Sequence, residues 1–188
     1  MRHRVFVAIN FPSHIKDELE KLKKHWPILP CRWVPKQNLH LTLAFLGYLN
    51  EEGLEKVMNS LAIVGQRHHP FSFFLDYISY GPDKKFPPRL LWLKGKSNEA
   101  LLELKKNIDE VLNESIGYIP ETRDFIPHIT LARIKKWQWR QIDPEDRPQI
   151  NKRVNFKIPV NSFEIMESHL KRSGAQYEIL KSISLKEK

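Results

Sequence analysis

One short pattern occurs twice in this chain: His40-Leu41-Thr42-Leu43 and His128-Ile129-Thr130-Leu131. On extended backbone successive side chains point to opposite faces, so His40 and Thr42 share one face and Leu41 and Leu43 the other. The second copy sorts the same way, with His128 and Thr130 over Ile129 and Leu131. Each copy is predicted to be a strand that buries an apolar face and presents an imidazole beside a hydroxyl. The copies start close to half of the 188-residue chain apart. That spacing suggests two related lobes, each lending one strand to a central cleft. Such a cleft holds two proton-transfer groups and two hydrogen-bond donors, a set suited to chemistry on a phosphodiester. Leu, Ile and Thr are also good strand formers, so the repeat alone is equally compatible with two ordinary strands.

The flanking sequence supplies the partners such strands need. Ser13 is the expected N-cap of a helix whose apolar face carries Ile15, Leu19, Leu22 and Trp26. Leu54, Val57, Met58 and Leu61 form a second stripe behind the acidic pair Glu51-Glu52, which suits a helix start. A third stripe begins near Ser97 with Leu101, Leu104, Ile108 and Val111. Strands are expected at 4–9, 39–45, 71–80, 90–93, 127–134, 154–160, 162–167 and 176–185. Gly81-Pro82-Asp83 reads as a turn closing the third of these. Helices interspersed with strands joined by short turns indicate an α+β sheet with helices packed on it. No Gly/Ser linker or low-complexity tract divides the chain, which is read as one domain over 1–188.

No stretch approaches the ~18 apolar residues of a membrane-spanning helix. The first apolar run is too short, and too soon interrupted by Pro12, to read as a signal peptide. Cys31 is the only cysteine, so no intrachain disulfide is possible and a cytoplasmic protein is expected. Lys and Arg total 31 against 22 Asp and Glu, a net charge of +9. That balance favours polyanionic partners such as nucleic acid, although a Lys- and Glu-rich surface also suits a thermophile.

The context of the two motifs is more specific. Trp33-Val34-Pro35-Lys36-Gln37-Asn38-Leu39-His40-Leu41-Thr42-Leu43-Ala44-Phe45-Leu46-Gly47 resembles the first signature of the 2H phosphoesterase superfamily. It is most similar to the RNA 2′,3′-cyclic phosphodiesterases, long called 2′-5′ RNA ligases. Gly117-Tyr118, Glu121, Arg123, Phe125 and Pro127-His128-Ile129-Thr130-Leu131-Ala132-Arg133 resemble the second signature. Arg4 to Ile9 resembles the opening strand, Pro88 to Trp92 a central one, and Glu167-Ser168 with Tyr177 to Leu180 the closing hairpin. The resemblance implies a bilobal α+β fold with pseudo-twofold symmetry, two antiparallel sheets lining a central cleft and helices on the outer faces. It further implies a monomer that opens RNA 2′,3′-cyclic phosphate ends to 2′-phosphomonoesters, with no metal, cofactor or membrane. Reverse 2′-5′ ligation of tRNA halves, the source of the older name, is a further activity that the resemblance implies. Small cyclic nucleotides, cyclic ADP-ribose phosphates or 2′-5′ oligoadenylates as substrates, and a non-catalytic nucleotide- or RNA-binding module, are the alternatives.

Within that reading, water attacks phosphorus and a ribose oxygen leaves. Imidazole, with an ordinary pKa near 6.5, serves either proton transfer. His40 is assigned as proton donor to the departing 3′-oxygen and His128 as proton acceptor from water, though near-symmetry makes the two positions look alike. Thr42 and Thr130 would donate to the non-bridging oxygens. The resemblance makes Arg133 a phosphate contact, yet strict alternation puts Ala132, not Arg133, on the face of His128. Arg133 reaches the site only where the strand ends, twists or bulges after Leu131. Lys135, Lys136, Trp137, Trp139 and Arg140, continuing to Lys152 and Arg153, read as an RNA-facing rim or as tryptophans pinning a loop to the core. Phe11 and Phe45 either flank a base or are buried, burial being the expectation for each.

Overall fold

The computed structural model describes residues 2–82, 86–172 and 174–187; Asp83 of the expected turn lies outside them. In chain order the elements are β1 (His3–Asn10), α1 (Ser13–Lys21), β2 (Cys31–Trp33), β3 (His40–Leu49), α2 (Glu51–Arg67), β4 (Phe71–Gly81) and β5 (Leu90–Lys96). There follow α3 (Glu99–Ile116), β6 (His128–Ile134), α4 (Lys136–Gln141), β7 (Asn151–Val160), β8 (Ser162–Lys171) and β9 (Gly174–Ser184). The strands pair antiparallel in the order β7-β4-β5-β6-β3-β1-β8-β9, with β2 alongside β6.

Local sequence explains most boundaries. Asn50 caps α2 by accepting from the Gly53 amide at 2.8 Å, and Asn98 caps α3 by accepting from Leu101 at 3.0 Å. Gly117, at φ 68°, ends α3 in the left-handed conformation that favours glycine. Two expectations need correction. Pro12, not Ser13, stands at the N-cap of α1, with no side-chain cap bond, and Ser13 is the first helical residue. The first stripe also leaves the α-helix early: Leu22 opens a 3-10 turn that ends at His25. Trp26 precedes Pro27, and the proline ring disfavours helical backbone in the residue before it.

One apolar cluster covers a single face of the whole sheet. It takes Val5, Val7 and Ile9 from β1, Leu54, Val57, Leu61 and Val64 from α2, and Leu101, Leu104, Ile108 and Leu112 from α3. Gly65 brings α2 tight against β9: a Cβ there would stand 2.6 Å from Ile183 Cγ2 and 2.7 Å from the Ser184 carbonyl oxygen. The helices thus occupy one side of the sheet, and the opposite face carries the histidines.

The sheet falls into two halves, β7-β4-β5-β6 with β2, and β3-β1-β8-β9. They join at one residue pair, Leu41 opposite Ile129, both fully buried. An antiparallel pair has a local two-fold axis normal to the sheet. Here that axis carries His40 onto His128 and Thr42 onto Thr130. The two expected antiparallel sheets are therefore present as halves of one hydrogen-bonded path.

Candidate active site

Each motif strand bulges at the same place. Ala8 pairs with Thr42 and Val7 with Ala44, so Leu43 is an extra residue in β3. Trp92 pairs with Thr130 and Leu91 with Ala132, so Leu131 is extra in β6. An extra residue reverses the alternation beyond it. Leu43 and Ala44 both enter the core, as do Leu131 and Ala132. The next residue in each strand, Phe45 or Arg133, is thereby turned onto the histidine face, and both are exposed. The bulge supplies the condition that Arg133 needed. It also corrects the expected burial of Phe45, which is 65% exposed, whereas Phe11 is buried as expected.

Continuing the ladder one residue from Leu41 and Ile129 sets His40 across from Thr130 and Thr42 across from His128. The histidines then lie on a diagonal of the ladder, a separation of roughly 7–8 Å. A phosphoryl group fits between two imidazoles so placed.

Both rings are held alike. His40 Nδ1 donates to the Asn38 carbonyl at 2.7 Å, and His128 Nδ1 donates to the Ile126 carbonyl at 2.7 Å. A carbonyl only accepts, so the proton sits on Nδ1 and Nε2 is the atom left for chemistry. In the neutral ring His40 Nε2 accepts from the Thr42 hydroxyl at 3.1 Å. Burial pushes His40 down to about 4, helped by the charges of Lys16 and His128 and opposed by the Asn38 bond. Burial also lowers His128, opposed by its bond to Ile126 and by Glu121.

Aromatic rings enclose both imidazoles. Phe6 and Tyr177 lie 5.0 and 5.1 Å from the His40 ring, and Trp92 lies 4.0 Å from that of His128. Asn38 is buried and donates from Nδ2 to the Ala175 carbonyl at 2.7 Å, tying the β8–β9 hairpin to the turn before His40. Phe6, Trp92, Tyr177 and Asn38 were not singled out as site residues from sequence. The alternation of Leu91, Trp92 and Leu93 carried a usable signal for Trp92, because it sets the indole opposite two core leucines.

Beyond Arg133 the basic tract divides. Trp139 is buried, its ring 5.2 Å from Tyr80, while Trp137 is 73% exposed. Lys135, Lys136 and Arg140 are exposed along α4 and its approach. Among the described residues no group of three His, Cys, Asp or Glu is arranged to hold a metal ion, and no helix is long and apolar enough to cross a membrane.

Residues 9–92 and 95–177 match the family described as LigT like Phosphoesterase, and each stretch holds one His-x-Thr pair. The chain is 33% identical to the RNA 2′,3′-cyclic phosphodiesterase of Methanocaldococcus jannaschii, over 95% of this chain and 98% of that protein. A structure from Thermus thermophilus aligns with TM-score 0.82 at 30% identity, covering 97% of each chain. The structure of LigT from E. coli in complex with 3′-AMP aligns with TM-score 0.77 at 26% identity, over 98% of this chain and 99% of that one.

Proposed function

The chain belongs to the LigT-like, or 2H, phosphoesterases, and on that footing we propose that it opens 2′,3′-cyclic phosphate ends of RNA to 2′-phosphomonoesters. The observation that carries this reading is the pair of Nε2 atoms presented from opposite sides of one two-fold axis. His128 takes a proton from water as the water oxygen bonds to phosphorus. The bond from phosphorus to the 3′-oxygen breaks, His40 protonates that oxygen, and the phosphate stays on the 2′-oxygen. Thr42 and Thr130 donate to the non-bridging oxygens, and Arg133 adds a cation beside them.

His40 is neutral in the empty site at neutral pH. A phosphodiester anion seated against its Nε2 favours the charged form, so substrate brings the conditions under which His40 becomes the acid. No step requires a metal. With an RNA 5′-hydroxyl in place of water, the same transfers in the same direction join two ends, such as tRNA halves, through a 2′-5′ bond: the 5′-oxygen bonds to phosphorus, the 3′-oxygen leaves and the 2′-oxygen keeps the phosphate. Both histidines stand on one chain, so a monomer suffices, and the cytoplasm is the compartment we assign.

Incubation with an RNA oligomer ending in a 2′,3′-cyclic phosphate tests the reading. A 2′-phosphate product, formed equally well in EDTA, is the expected result. A 3′-phosphate product would reverse the assigned leaving group, and loss in EDTA with rescue by a divalent metal would remove the two-histidine scheme.

A further inference from the structure

The bulge at Leu131 sets Arg133 on the histidine face, and β2 adds a second guanidinium there. β2 lies along the same edge of β6 that β3 meets at Ile129, and its Arg32 stands directly opposite Arg133. Cys31 and Trp33, on either side, pack against the core, which leaves Arg32 on the opposite face with Arg133. Directly paired residues have Cβ atoms about 4.5–5.5 Å apart, and like charges in that relation repel. Both are exposed, and among the described residues neither has an acidic partner.

Arg32 is also braced from the far half of the sheet. Gly174, at φ +127°, lies so near that a Cβ would stand 2.4 Å from Arg32 Nη2. The same hairpin carries exposed Lys171 and Arg172. Among the described residues the fold thus gathers cations that no acidic side chain pairs on the histidine face, an arrangement that an anion relieves.

Position says which anion. Arg133 pairs with Leu90 and Thr130 with Trp92, a separation of two residues on β5 and roughly 6.6 Å along the strand. That is comparable with the distance between successive phosphates of a nucleotide chain. At the symmetry-related place stands Phe45, which offers no charge. We propose that Arg32 binds the phosphodiester one nucleotide upstream of the cyclic phosphate, with Arg133 lying between the two phosphates. Arg32 thereby selects an RNA end over a free cyclic mononucleotide. This inference rests on the proposed reaction.

The test compares kcat/KM on the dinucleotide ApA ending in a 2′,3′-cyclic phosphate with kcat/KM on 2′,3′-cyclic AMP, which lacks the upstream phosphate. Arg32→Gln is expected to lower the ratio of the two tenfold or more. Arg32→Lys, which keeps the charge but not the fork, falls between. The ratio does not depend on how much of a variant is folded. A ratio within twofold of the wild type overturns the proposal. A wild-type protein that opens neither substrate removes the reaction itself. In that event the affinity for ApA bearing a 2′-phosphate still decides the role of Arg32: a tenfold loss in Arg32→Gln supports it and an unchanged affinity overturns it.

Discussion

Two imidazoles with Nδ1 tied to backbone carbonyls and Nε2 left for chemistry are matched in geometry, and burial lowers the proton affinity of both. His40→Ala and His128→Ala should each lower kcat on a cyclic-phosphate-ended oligomer about a hundredfold or more, with binding retained. The proposed reaction needs one ring charged and one neutral. Both groups are lowered from 6.5 in the free protein, so both limbs of the bell in kcat/KM should lie below pH 6.5. The bound anion raises both groups, and the kcat profile should sit to the alkaline side of it. A kcat/KM bell centred above pH 6.5, or near wild-type turnover in either alanine variant, would contradict this account. The histidines and threonines were legible because a period-two pattern fixes which side chains share a face. Arg133 was legible only conditionally, since a bulge reverses the pattern and depends on the partner strand's register, which β6 does not encode locally.

The elements show the same division between local and distant causes. α2 and α3 announced themselves by their apolar stripes, α2 also by the acidic pair Glu51-Glu52, whereas the capping asparagines before each emerged only with the structure. β2 escaped notice because three residues are too few to display alternation. It exists through its pairing with β6, far along the chain. Nor did sequence disclose how closely α2 approaches β9. Gly65→Ala should destabilise the protein by about 1–3 kcal/mol, as overpacking of a filled contact does. Urea unfolding measures this, and an unchanged midpoint would mean that Ile183 yields without cost.

For the molecule as a whole, the net charge of +9 was legible at once, but the direction each charge faces was not. Lys135, Lys136 and Arg140 are exposed beside the strand that carries His128. If they contact RNA, neutralising all three should flatten the log–log salt dependence of oligomer binding, by roughly 0.7 for each lost phosphate contact. An unchanged slope would make them a solvated surface. The spacing of the motifs led to the expectation of two lobes, whereas the one-pair join of the two sheet halves at Leu41 and Ile129 was not legible, because contact between distant strands is settled by packing. In a two-subunit enzyme built around such an axis, the central residue faces its own copy and every other position is duplicated. Whatever stood in the place of Phe45 would then also stand in the place of Arg133. A nucleic acid strand, which has a 5′ and a 3′ direction, would enter that assembly equally well either way round. Carrying both halves on one chain lets them differ, so that a centre with nearly two-fold geometry can receive a polymer in one orientation.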